Sequence, residues 1–315
     1  MKKLIYLGLC LTILALNLFQ GCGKKEPKQE IEKINTLFRI LKDGKWGYID
    51  KIGDIIIDPQ FDGAGRFSEG LAPVKIGYKW GYIDKTGKYV IKPQFLLAAE
   101  FSEGLGLVKI FNSGQIGYID KTGKFVIKPQ FDNADVFSEG LAAVWIGEKC
   151  GYIDKTGKIV IKPQFESAGK FSEGLASAEI DGKWGYIDKT GKIVINPQFD
   201  DASFFSEGLA AVKIGGEPDE LGSIVDGKWG YIDKAGKIVI KPQFESAGIF
   251  SEGLASAEID GKIGYIDKTG KFAINPQFDG AWEFSEGQAE ITFGMLHYKL
   301  GYIDRTGEYV WKPTK

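Results

Sequence analysis

One histidine, three cysteines and two methionines are spread over 315 residues. That stock leaves little for metal binding or nucleophilic catalysis. His297 has no His or Cys partner for a metal, and no Ser is placed with a base to form a triad. No Gly-rich phosphate loop opens a helix, and no D-x-D-x-D calcium loop is present. These gaps point away from an enzyme and from any cofactor. Charge of one sign is also missing, with 40 Lys+Arg against 42 Asp+Glu and a net charge of -2. Without a basic block, nucleic acid is a poor partner. What is plentiful is apolar residues, at 43 %, which excludes disorder for most of the chain. The 43 Gly are roughly twice the ordinary share and need a structural reason.

The N-terminus reads as an export signal. Lys2 and Lys3 precede an uncharged run from Leu4 to Phe19. That run is short for a bilayer-crossing helix, which needs about 20 residues. It ends in Gly21-Cys22, which resembles a bacterial lipobox, where the cysteine is diacylated and becomes the mature N-terminus. Phe19 and Gln20 make this box looser than most. The alternative is an ordinary signal in which Cys22 is just a thiol. The charged, Pro-containing stretch after Cys22 reads as a flexible tether. Cys10 lies inside the signal, so only Cys150 remains in the body and no internal disulfide is available. The expected organisation is a signal at 1–21, a tether at 22–33 and a β domain at 34–315.

The body is one motif repeated. G-Y-I-D begins at Gly47, Gly81, Gly117, Gly151, Gly185, Gly230, Gly264 and Gly301. Trp precedes it at Trp46, Trp80, Trp184 and Trp229, with Ile116, Cys150, Ile263 and Leu300 at the other four sites. P-Q-F and F-S-E-G follow at fixed offsets. These residues resemble the WG-repeat (KWG-type) family of bacterial proteins over about residues 37–315. The resemblance implies an all-β repeat protein, often secreted or surface-attached, with no shared catalytic activity or cofactor.

Each repeat reads as three short strands. W-G-Y-I-D and K-I-V-I-K form a hairpin across Asp-Lys-Thr-Gly, as at Asp154-Lys155-Thr156-Gly157. Asp opens the turn and Gly takes positive φ, the signature of a type I turn with a G1 bulge. Pro163 is expected to end the second strand, because it has no N–H for a ladder. Gly140 to Ile146 forms the third. Counting from Leu37–Leu41 to Trp311 gives eight three-stranded antiparallel units. One unit cannot bury its apolar face alone, so neighbours must stack. The expected architecture is a curved, solenoid-like stack, with a closed eight-unit, propeller-like ring as the alternative.

From the Gly of G-Y-I-D to the Gly of S-E-G the spacing is 23 in all seven full repeats. All length change therefore falls in the turn before the next W-G, at Phe111-Asn112-Ser113, at 215–225 and at Met295-Leu296-His297. Either this edge merely tolerates insertions, or it binds. If it binds, Glu217, Asp219, Glu220 and Leu221 form an acidic, partly apolar tip. Residues 151–212 recur as 230–291, a duplicated two-repeat block that argues against a single unique site. The recurrent Asp and Glu, such as Asp188 and Glu207, read as turn and backbone ligands rather than a glycosidase pair. The recurrent Tyr and Trp read as core, with a sugar-binding ladder as the alternative. The combined expectation is a cell-envelope lipoprotein with a non-enzymatic interaction scaffold. Its partner would be an envelope or host protein, with a glycan as the alternative ligand and a glycan-active enzyme as a weaker one.

Overall fold

The computed structural model describes residues 36–218, 224–225, 227–294 and 299–312. The signal and tether expectations therefore lie outside the described residues. Eight antiparallel sheets follow one another, one for each G-Y-I-D motif. In the fourth, the order across the sheet is Asn133–Ala134, Leu141–Ile146, Lys149–Asp154 and Ile159–Phe165. The two middle strands are buried on both faces, which is why they read as apolar runs. The outermost strand buries Ile161 and Phe165 and turns Lys162 and Gln164 to water.

Two details depart from the sequence reading. A fourth, innermost strand lies in the connection that the pattern left unassigned, and in most blades it is two residues long, like Asn133–Ala134. Pro163 does not end its strand. The pairings Cys150↔Phe165 and Tyr152↔Ile161 set Gly151 opposite Lys162, Pro163 and Gln164, an irregular bulge. A bulged position needs no N–H, so Pro is tolerated there. The bulge presses on the glycine: a Cβ at Gly151 would lie 2.5 Å from the Ile161 carbonyl oxygen and 2.6 Å from the Pro163 nitrogen. The glycine of the WG pair is required by this approach of backbone to backbone.

The core sits between successive sheets. Tyr152 is buried, its ring 4.8 Å from that of Phe171 in the following blade, and its hydroxyl donates to the Gly169 carbonyl at 2.7 Å. Tyr48, Tyr82, Tyr118, Tyr186, Tyr231 and Tyr265 repeat this reach to the next blade's inner backbone. The tyrosines are thus core. Trp46, Trp80, Trp184 and Trp229 are only half-buried, at the margin of the same clusters. Cys150, in a Trp place, is fully buried, and burial pushes its thiol up to about 12.

The open stack expected from the sequence does not form. A two-residue inner strand beside a seven-residue outer strand makes each sheet a wedge. Wedges stacked in one sense curl until first meets last, and the chain closes as an eight-bladed β-propeller. At the seam the first blade, Phe38–Lys42, Lys45–Ile49 and Ile55–Phe61, has three strands among the described residues. It meets the eighth through side chains. Tyr302 donates to the Arg39 carbonyl at 2.8 Å, and its ring packs edge-on against Phe38 at 5.2 Å. Arg39 grips Glu290 with two bonds of 3.0 Å, and Gln288 donates to the Lys51 carbonyl at 2.9 Å. Elsewhere the turn glycine of one blade rests on an Ile of the blade before it, as Gly157 (φ +86) does on Ile127; at the seam Gly53 rests on Trp311. Trp311 takes the Ile place and fills the seam.

Candidate functional site: the open face and the axial channel

The two faces of the ring are built differently. On one, the Ser-Glu-Gly and Asp-Lys-Thr-Gly turns of neighbouring blades clasp each other. Ser68 Oγ donates to the Phe101 carbonyl at 2.6 Å, and Ser102 and Ser138 do the same one and two blades on. Glu69 accepts from the Gly104 N–H at 3.1 Å and pairs with Lys121 at 3.0 Å. Glu103–Lys155, Glu139–Lys189, Glu173–Lys234 and Glu207–Lys268 continue the series. Each of these glutamates also holds positive φ, near 52°, with a glycine after it, which makes the turn type I′. The recurrent acids are therefore blade-to-blade fasteners. Burial pushes the Glu69, Glu103 and Glu173 carboxyls up, but the lysines and glycine N–H groups outweigh it and hold them low.

The turn aspartates behave alike. The Thr156 hydroxyl donates to Asp154 Oδ1 at 2.6 Å, and the Thr156 and Lys158 N–H groups add two more bonds. These bonds hold Asp154 below the usual carboxylate range, as they do Asp84, Asp120, Asp188, Asp267 and Asp304. The folded ring thus binds fewer protons than the unfolded chain, whose carboxyls titrate near pH 4. Their stabilisation is complete above that value and is lost as pH falls through the lowered native values. Melting is expected to be level from neutral pH down to about pH 5 and to drop steeply below about pH 4. A melting temperature unchanged at pH 3 would contradict this use of the acids.

The opposite face carries the turns of variable length. Here an acid after each P-Q-F clamps the next blade's turn. Asp62 takes the Gly77 N–H at 2.7 Å and Lys45 at 2.6 Å, and Asp200 takes the Gly216 N–H at 2.8 Å and Lys183 at 2.6 Å. Asp132, Glu166, Glu245 and Asp279 do the same for Gly147, Gly182, Gly261 and Gly294. One join breaks the rule, with Leu96 in the acid's place. The long insert stands on an ordinary clamp at Gly216, and its base is a two-stranded ribbon, Glu217↔Val225 and Pro218↔Ile224. Glu217 is exposed on this ribbon. Asp219, Glu220 and Leu221, like Cys22, lie outside the described residues.

The axis is the second distinctive region. The residue before each F-S-E-G phenylalanine is not fixed: Arg66, Glu100, Val136, Lys170, Phe204, Ile249 and Glu283. Arg66 pairs with Glu283 beside the first blade, and its backbone N–H donates to Glu100 at 2.8 Å. Lys170 lies over the Phe204 ring at 3.9 Å. A cavity of about 530 Å³ opens here, lined by Arg39, Trp80, Glu100, Val136 and Lys170 among others. A second, of about 360 Å³, has Trp184, Ser177 and Phe204 in its wall and shares Lys170. Sequence reasoning missed this wall. Its signal was available, since this position varies directly before the recurrent F-S-E-G. Among the described residues no group of His, Cys, Asp and Glu is placed to hold a metal. No helix of the described residues is long and apolar enough to cross a membrane.

Side-chain closure, wedge-shaped blades and a motif used eight times define an eight-bladed β-propeller made from a single repeated unit. The chain belongs to the family of WG-containing repeat proteins: residues 46–80, 80–112, 116–150, 151–184, 184–217, 229–262 and 263–292 each match the repeat. Among solved structures it is similar to that described as a "eukaryotic initiation factor", at 11 % identity and a TM-score of 0.56, covering 87 % of this chain and 94 % of that one. It is also similar to Hsv2p of Kluyveromyces lactis, at 9 % identity and a TM-score of 0.48, covering 72 % and 86 %. At 11 % identity the first likeness is one of fold. No curated protein sequence matches the chain.

Proposed function

We propose that this protein is a lipid-anchored component of the cell envelope that binds another protein through the face of variable turns, without catalysis. The observation that supports this most is the division of labour between the faces. One face spends its recurrent acids, lysines and serines on fastening blade to blade. All insertion falls on the other, where a turn can lengthen for only a few tenths of a kcal/mol of closure entropy. Propeller rings offer such a face as a rigid platform, and binding residues gather on loops held by a rigid scaffold. Cys22 is the residue expected to carry the lipid, with the export signal at 1–21 removed. The exposed Glu217 on the ribbon, followed in the sequence by Asp219 and Glu220, favours a basic partner surface and a salt-sensitive on-rate.

The insert supplies the test. Deleting residues 215–225 joins Ile214 to Asp226-Gly227-Lys228, the same turn as Ile180-Asp181-Gly182-Lys183. The shortened protein is expected to melt as the parent does and to lose most of its capture of the partner recovered from envelope extract. Full capture at unchanged melting would leave the long turn a tolerated insertion. Glycan binding is the second reading, favoured by Trp80 and Trp184 in the cavity walls. A glycan array separates it from the first.

A further inference from the structure

The clamp that breaks at one join is the most informative departure in the ring. Six joins place Asp62, Asp132, Glu166, Asp200, Glu245 or Asp279 after P-Q-F, and the join between the second and third blades places Leu96. Three neighbours change with it. Leu97 pairs with Lys109, and the Leu96 N–H donates to the Lys109 carbonyl at 2.8 Å, which sets both leucines against the Phe111 turn. Phe95 pairs with Trp80, which brings Tyr78 to the same spot. Tyr78 is 84 % exposed, and Leu96, Leu97 and Phe111 are 40–44 % exposed. Where the other two-residue turns show Asp43-Gly44, Gly147-Glu148, Asp181-Gly182 and Asp260-Gly261, the second blade's turn shows Gly77-Tyr78, and Lys79 has Leu96 where Lys45 has Asp62. The outer strands also expose an Ile or Val, but they do so in blade after blade; this cluster occurs once.

We propose that Tyr78, Leu96, Leu97 and Phe111 form a docking tip that dips into the surface of the membrane to which the chain is tethered. This rests on the reading of Cys22 as the lipidated residue. The tip has the composition of the bilayer interface, a tyrosine and other apolar side chains at the end of a ridge flanked by the basic Lys75, Lys79 and Lys109. Four such residues bind a bilayer weakly on their own. The tether changes that, because residues 22–35 span at most roughly 50 Å even when fully extended and lead into the Phe38 end of the first blade's Phe38–Lys42 strand, which is one strand length, about 20 Å, from the variable-turn face. Held that close, a weak contact is an intramolecular one. The ring then stands on the rim of its second and third blades. The insert, on the sixth blade, is lifted on the far rim and kept clear of the lipid for its partner.

The test uses the full, processed chain carrying Tyr78→Cys, labelled with bimane and reconstituted into phosphatidylethanolamine–phosphatidylglycerol vesicles with brominated acyl chains. Cys150 is buried and does not compete for the dye. Bimane at position 78 is expected to be quenched about twofold or more, as a group seated within about 5–10 Å of the acyl boundary would be. The same dye on Glu217→Cys stays unquenched. Leu96→Asp, which restores the acid of the other joins, is expected to leave melting unchanged and to bring quenching at 78 down to the Glu217→Cys level. Intact mass reports the lipid on Cys22. Lipid present with no quenching at 78 overturns the docking tip and leaves the lipoprotein reading standing. Absence of lipid overturns both. Burial of the dye without vesicles, in step with a concentration-dependent dimer, assigns the tip to a second copy of the chain and overturns lipid docking.

Discussion

Gly151→Ala is expected to destabilise the ring by about 3 kcal/mol, the upper part of the range for overpacking a well-filled site. The added methyl would sit 2.5 Å from the Ile161 carbonyl oxygen, 2.6 Å from the Pro163 nitrogen and 2.9 Å from the Lys162 carbonyl carbon. All three are backbone atoms of the bulge, so no rotamer change relieves the clash. Gly140 supplies the comparison. It holds φ +86 but has open space around its Cβ position, so Gly140→Ala pays only the left-handed penalty of about 1–2 kcal/mol. Urea unfolding of the two variants measures both. If Gly151→Ala unfolds no more easily than Gly140→Ala, the bulge yields and the close approach does not select the glycine.

Arg39→Ala is expected to cost about 3–5 kcal/mol, the range for leaving one half of a buried ion pair behind. The asymmetry of the pair sets the order of effects. Glu290 has 3 % of its side chain exposed and Arg39 has 21 %. Removing Arg39 therefore strands a carboxylate with little access to water, while removing Glu290 leaves a guanidinium that still reaches it. Arg39 also donates to the Ala64 carbonyl at 3.2 Å and lies over the Trp46 ring at 5.2 Å. Glu290→Ala should cost less than Arg39→Ala, and the double variant less than the two together. Strict additivity in that cycle would mean that the seam does not depend on the pair. Hydrogen exchange should show the loosening in the first and eighth blades before the rest.

Much of the blade was legible because its signals are local. The Asp154 to Gly157 turn carries its hydrogen bonds within five residues of chain, and its glycine has the positive φ that the motif demands. The strands from Leu141 and Lys149 read as apolar because both of their faces are covered. The innermost strand was not legible, since two residues such as Asn133 and Ala134 cannot display a period. Pro163 misled because a rule about ladders was applied at a bulge, where no ladder bond is formed. Ring closure was illegible for a different reason. Its key pair, Arg39 and Glu290, is separated by 251 positions and occurs once, so no repetition advertises it. The open face was recognised from spacing alone, while the axial wall went unnoticed because attention to what recurs hides the positions that do not.

The seam has a consequence for the gene. Nearly identical tandem units invite unequal recombination, and an open array would accept each gain or loss of a unit. A ring does not. Trp311 comes to rest on Gly53, and Tyr302 finds the Arg39 carbonyl, only when the eighth wedge completes the circle. A product with one unit fewer or one more leaves those side chains facing water and the two seam surfaces unmatched. The closure thus works as a counter, fixing copy number while leaving individual units such as 151–212 and 230–291 free to be overwritten by one another.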